Sequence, residues 1–107
     1  MQKVDERRRH ERLAKPIDGS WRGQSGATSC RITDVSWSGC FLETLTVPSL
    51  GEPTAVTVPA GGRMIEIPGQ IVYVERGHGI AVRFDKLTAD QIDALTGLLG
   101  EPPTSVS

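Results

Sequence analysis

The sequence predicts an all-β domain, a small barrel or sandwich, with one α-helix at its C-terminal end. Three observations predict it. Six short apolar segments between Ile17 and Phe84 are set apart by Gly, Pro, Ser and Asp clusters. Ile80, Val82 and Phe84 alternate strictly with Ala81 and Arg83, the period of a half-buried strand. Residues 88–100 carry start and stop signals of a helix at both ends. At 107 residues, one compact domain with one core is expected.

In chain order, residues 1–12 are polar and charged with almost nothing to bury, and are expected to form an arm that is mobile without a ligand. The globular part, residues 13–100, starts near Leu13. Strands are expected over residues 17–21, 30–33, 40–43, 55–58, 64–74 and 80–84, a spacing that suits a small barrel or sandwich. The last two should form a hairpin across Arg76-Gly77-His78-Gly79. Pro68-Gly69 interrupts the longest strand, and because proline cannot donate to a ladder, a bulge or sharp bend is expected there. Trp21 is expected in the strand core or at the barrel edge.

The helix is the best specified element. Thr88 is a good N-cap, Gln91 completes a capping box, and Leu87 and Ile92 stand at the positions of a hydrophobic staple. Gly100 supplies a left-handed stop and Pro102-Pro103 forbids continuation. Ile92, Leu95 and Leu99, with Leu98 beside them, should form the stripe that lies on the sheet. Residues 101–107 are expected to be a disordered tail.

Charge is distributed unevenly. The formal net charge is -1, yet residues 1–15 hold six Lys/Arg against three Asp/Glu, and the remainder six against ten. This disfavours a globally basic nucleic-acid binder and leaves room for a local anion site. Cys30 and Cys40 are too few for a disulfide framework, and no secretory signal pattern is evident, so both are expected as buried, inert thiols of a cytoplasmic protein; a bridge across two strands stays open. No apolar run approaches the roughly 20 residues of a membrane-spanning helix, so membrane insertion is not expected.

Two stretches carry the chemistry. In Glu6-Arg7-Arg8-Arg9-His10-Glu11-Arg12, Arg8 and Arg12 stand four apart, on one side of the arm whether it is extended or helical. Two guanidinium groups can then converge on one ligand, pairing as planar forks with phosphate or with guanine O6 and N7, and stacking on a base. The second stretch is Asp34-Val35-Ser36-Trp37-Ser38-Gly39. Asp34 and Ser36 are ordinary turn formers that cap local backbone groups, and Gly39 is expected at a positive φ. A carboxylate and a hydroxyl two residues apart also project from one side of a strand end. The carboxylate accepts what guanine N1 and N2 donate, and the hydroxyl reaches phosphate or a base edge. Trp37 is expected to pack beside this turn.

Together these stretches resemble the paired signature of the PilZ domain, the bacterial receptor module for cyclic di-GMP: RxxxR, matched by Arg8 and Arg12 after Arg7, and [DN]xSxxG, matched by Asp34, Ser36 and Gly39. The resemblance covers roughly residues 6–99 and implies a six-stranded antiparallel barrel closed by a C-terminal helix. It also implies the ligand. Arg8 and Arg12, supported by Arg7 and Arg9, would wrap cyclic di-GMP from the arm, while Asp34 and Ser36 contact it from the barrel and Gly39 keeps the turn open. Arg7 sits where the family often sets ligand number, which favours an intercalated ligand dimer. Output would pass to an unidentified downstream protein of motility or biofilm regulation through a changed surface.

No nucleophile with a base, carboxylate pair or metal cluster marks an enzyme, and no cofactor is called for. His10 is expected near the ligand, His78 in an exposed loop, and Arg83 faces outward, toward either the ligand region or a partner, a choice that its position alone does not make. Two alternatives differ in class. One is a PilZ-fold interaction module that does not respond to nucleotide. The other is a small barrel for single-stranded nucleic acid, poorly supplied with stacking platforms because only 5% of residues are aromatic.

Overall fold

A computed structural model describes residues 16–24 and 26–100. Six antiparallel strands follow in order: β1 (Ile17–Gly23), β2 (Gly26–Val35), β3 (Gly39–Glu43), β4 (Pro53–Ala60), β5 (Arg63–Glu75) and β6 (Gly79–Phe84), then helix α1 (Ala89–Leu99). They close into a barrel in the order β1-β2-β3-β6-β5-β4, with β1 and β4 joined through Ser20 to Arg22 and Ala55 to Thr57. Of the barrel and the sandwich that the strand spacing allows, the structure is the barrel. The expected N-terminal arm and the C-terminal tail lie outside the described residues.

Alternation puts one side chain in two inside. Ile80, Val82 and Phe84 are buried while Arg83 is exposed, and Ile32, Val35, Leu42, Val56, Val58, Ile67 and Ile71 complete an aliphatic interior with Trp21 at 2% exposure. Trp21 is therefore core, and its Nε1 finds no partner among the described residues. Burying a branched or aromatic side chain contributes about 1.5–3 kcal/mol, so this interior is the main stabilising term.

Turns follow from local chemistry. Gly61 and Gly62, with φ of +58° and +85°, form the two-residue link of the β4–β5 hairpin, where both central positions require positive φ. The expected β5–β6 hairpin is present, with Glu75 opposite Gly79. The β3–β4 crossover over residues 44–52 is pinned by Glu52, a buried carboxylate that accepts from the Ser49 amide at 3.0 Å and the Gln24 amide at 2.9 Å.

Pro68 does not carry a bulge. Pairing of β4 with β5 runs unbroken through Ala55 and Pro68 to Pro53 and Gln70. The irregularity comes later, between Ile71 and Tyr73 in the ladder with β6. Proline is tolerated because β5 changes partner here, pairing with β4 up to Gln70 and with β6 from Gly69 onward. Strand ends also run further than expected: β2 starts at Gly26, because Ala27, Thr28 and Ser29 pair with β1 while exposed and so show no apolar alternation.

The helix is capped as expected. Thr88 Oγ1 accepts from the Gln91 amide at 3.2 Å, and Gln91 Oε1 accepts from the Thr88 amide at 2.9 Å. Its buried face differs from expectation. Ala94 and Leu95 are buried, with Leu98 and Leu99 packed against the core, while Ile92 is 36% exposed. Gly100 has the positive φ of a helix stop, +91°, but ψ of -162°, outside the left-handed helical region.

The cysteines cannot bridge. Cys40 pairs with Val35, five residues along β2 from Cys30, on the order of 15 Å of strand, whereas a disulfide requires Cα atoms within about 7 Å. Burial pushes the half-buried Cys30 thiol up to about 11. Burial pushes Cys40 higher still, reinforced by the negative charges of Cys30 and Asp34. Both stay protonated and unreactive at neutral pH.

Candidate ligand-binding surface

The second sequence stretch spans the end of β2, the turn to β3 and its first residue. A register shift between Ile32 and Asp34 inserts Thr33 as an extra residue, which re-aims the strand immediately before Asp34. The turn is held from within. The Ser36 amide donates to the Gly39 carbonyl at 2.8 Å, and Ser36 Oγ donates to the same carbonyl at 3.3 Å. The Ser38 amide donates to Ser36 Oγ at 3.3 Å, and the two serine hydroxyls lie 3.2 Å apart. The side-chain bonds are at the long end of the range, so the hydroxyl can exchange them for a ligand contact with little loss. Trp37, at the tip, is half-buried and packs against the core, as expected.

The turn is also stitched to the next strand in space. The Phe84 amide donates to the Ser38 carbonyl at 2.8 Å, and Gly39 stands opposite Arg83. Here the expectation for Gly39 is corrected: its φ is not positive. Glycine is needed because β6 comes too close. A Cβ at this position would run into the Val82 carbonyl oxygen and stand 3.1 Å from Arg83 Cα.

Asp34, Ser36 and Gly39 line one open depression of about 440 Å³ on the outer wall, together with Ser38, Val72 and Arg83. Three sequence-predicted site residues are thus brought together. The other four, Arg7, Arg8, Arg9 and Arg12, lie outside the described residues, as does His10. The depression combines acceptor, hydroxyl, cation and a strip of apolar wall. That mixture suits a ligand with both an aromatic edge and an anion. His78 lies at the other end of β6, exposed, its ring 5.5 Å from that of Phe41.

Sequence reasoning leaves Arg83 open between the ligand region and a partner, and assigns neither Val72 nor Phe41 nor Ala81 to this surface. The outward alternation of Arg83 was visible, but its destination depends on β6 lying beside β3, which is not its neighbour in sequence. Val72 reaches the depression because the β5 irregularity leaves Val72 and Tyr73 both exposed, at 45% and 53%.

Comparison with known proteins settles the family. The family model described as PilZ domain matches residues 6–101, nearly the whole chain. The chain belongs to the PilZ domain family. PilZ domains are generally binding modules that act as receptors for cyclic di-GMP. Among solved structures, this PilZ domain is similar to one described as the PilZ domain of CeSA from a cellulose synthesizing bacterium. The two align with a TM-score of 0.65 and 16% identity, over 83% of this chain and 95% of the other. At that identity the likeness speaks for the fold, a closed six-stranded barrel with one C-terminal helix. A search of curated protein sequences returns no match. Among the described residues, no helix is long and apolar enough to cross a membrane.

Proposed function

We propose that this PilZ domain is a cyclic di-GMP receptor that clasps its ligand between the barrel surface at Asp34 to Gly39 and the arginines Arg7, Arg8, Arg9 and Arg12. One observation carries the proposal: every fixed position of the second motif lines a single open depression in a chain that also holds RxxxR. The chemistry is complementary. Cyclic di-GMP brings two phosphate charges and two guanines, and the arm brings cations with flat faces that pair with the first and stack on the second. Asp34 accepts from a guanine edge, and Ser36 turns its hydroxyl to phosphate or base.

Binding offsets the mutual repulsion of the arginines and orders the arm, at a cost on the order of 2–5 kcal/mol taken from the gross interaction. The ordered arm then presents or hides a surface for a downstream protein in the cytoplasm; no bond is made or broken. Arg7, adjacent to the motif, favours two stacked ligands over one.

Calorimetric titration with cyclic di-GMP, GTP and a short oligonucleotide tests this, repeated for Arg8→Ala, Arg12→Ala and Asp34→Ala. Each substitution removes a charged hydrogen bond, about 1.5–3 kcal/mol, and so weakens cyclic di-GMP binding more than tenfold. A stoichiometry of two is expected. No binding of cyclic di-GMP, tighter binding of the oligonucleotide, or affinity indifferent to all three substitutions refutes the receptor. Arm amides whose exchange is the same with and without saturating ligand refute the ordering step.

A further inference from the structure

We infer that Arg83 is a further, strand-borne cation of the ligand site, one that the two family motifs do not include. The inference rests on the receptor function proposed above and adds a residue to it. Arg83 lines the depression that holds Asp34 and Ser36, yet it comes from β6.

Its surroundings leave it available. Residues directly opposite on antiparallel strands share a face; the partner of Arg83 on β3 is Gly39, which has no side chain to cover it, and its partner on β5 is the exposed Gln70. Two residues back along β6, on the same face, stands Ala81, whose methyl group keeps the floor low. The guanidinium therefore borders an open shelf. Among the described residues the one ion pair joins Arg22 to Glu66, so no described carboxylate holds Arg83.

Charge gives it a task. The site receives a dianion, and a cation fixed on the barrel wall pairs with it at short range. Arg83 is the cation that the barrel wall itself supplies. Unlike a group on an arm that must be ordered, it is carried by a strand paired on both sides, with β3 and β5, so less freedom is lost when it engages a phosphate. The fork geometry of arginine also makes it more than a point charge. Arg83 thus acts as a ligand-binding residue for phosphate on the barrel side of the site.

Calorimetric titration of the full chain with cyclic di-GMP tests this with Arg83→Ala, Arg83→Lys and Arg83→Glu, beside Arg8→Ala and the remote, exposed Arg63→Ala. Melting of each variant without ligand serves as the folding control. The expected result is a loss of about tenfold or more for Arg83→Ala, a larger loss for Arg83→Glu and partial recovery for Arg83→Lys. The salt dependence of affinity should be shallower for Arg83→Ala than for the wild type. Arg63→Ala should bind as the wild type does, and all unliganded melting temperatures should agree. If Arg83→Ala binds like the wild type while Arg8→Ala does not, or if Arg63→Ala weakens binding as much as Arg83→Ala, Arg83 is not a site residue and the receptor stands. If the wild type does not bind cyclic di-GMP, both proposals fall.

Discussion

Gly39→Ala should destabilise the barrel through a collision between strands. The added Cβ points into the Val82 carbonyl and reaches to 3.1 Å from Arg83 Cα, both backbone atoms in a paired strand that cannot turn aside as a side chain can. Relief requires β3 to move away from β6. Forcing an extra carbon into a packed region costs about 1–3 kcal/mol. The shift also loosens the bonds from the Ser36 amide to the Gly39 carbonyl and from the Phe84 amide to the Ser38 carbonyl, each worth about 0.5–1.5 kcal/mol net. The sum, about 2–6 kcal/mol, is a large part of the 5–15 kcal/mol that holds a typical domain together. At about 4–8 °C per kcal/mol for a domain of this size, the melting temperature should fall by at least about 8 °C. Thermal unfolding followed by circular dichroism reads this directly. A second substitution separates the collision from a conformational cause: asparagine tolerates positive φ, so it would rescue a glycine held there, but it carries the same Cβ. Gly39→Asn should therefore be no better than Gly39→Ala. A fall of only a degree or two for Gly39→Ala, or clear rescue by asparagine, refutes the reasoning.

Two other perturbations follow from buried polar groups. Glu52→Ala leaves the Ser49 and Gln24 amides without their acceptor and should cost about 1–3 kcal/mol in thermal or urea unfolding, with Glu52→Gln recovering part because it keeps one acceptor oxygen. Cys30 and Cys40 should not react with a thiol reagent in the folded protein at pH 7–8 and should both react in denaturant, since burial keeps each thiol protonated. Because the folded thiols have raised pKa values, their contribution to stability is complete below the ordinary thiol value of 9.0. It should be lost as pH rises towards the Cys30 value of about 11, which urea unfolding between pH 8 and 11 would measure.

Patterns that repeat within a few residues were legible in the sequence. The Thr88 and Gln91 capping box and the alternation of Ile80, Val82 and Phe84 appear in the structure as written. Where the outcome depended on which strands become neighbours, local patterns failed. Pro68 reads as an interruption because its missing amide is a local fact, whereas the hand-over of β5 from β4 to β6 that accommodates it is not. The helix stripe was displaced for a similar reason. Spacing placed Ile92 with Leu95, but Ala94, too small to stand out in a hydropathy pattern, lies on the buried side. For the candidate site, the three residues fixed by DxSxxG line one depression, while the reason for its glycine and the presence of Arg83 beside it depend on the β3–β6 ladder.

The pairing of β1 with β4 has a consequence for docking. Every strand of the barrel has a neighbour on each side, but over part of its length only: residues 26–30 of β2 pair with β1 and not with β3, and residues 63–68 of β5 pair with β4 and not with β6. A protein that docks by adding its own strand, the mode in which main-chain bonds supply affinity, has only these short lengths to pair with. Any wider contact falls on side chains of the outer wall, the crossover loop or the helix, so its selectivity is written in surface residues whose replacement leaves the barrel interior undisturbed.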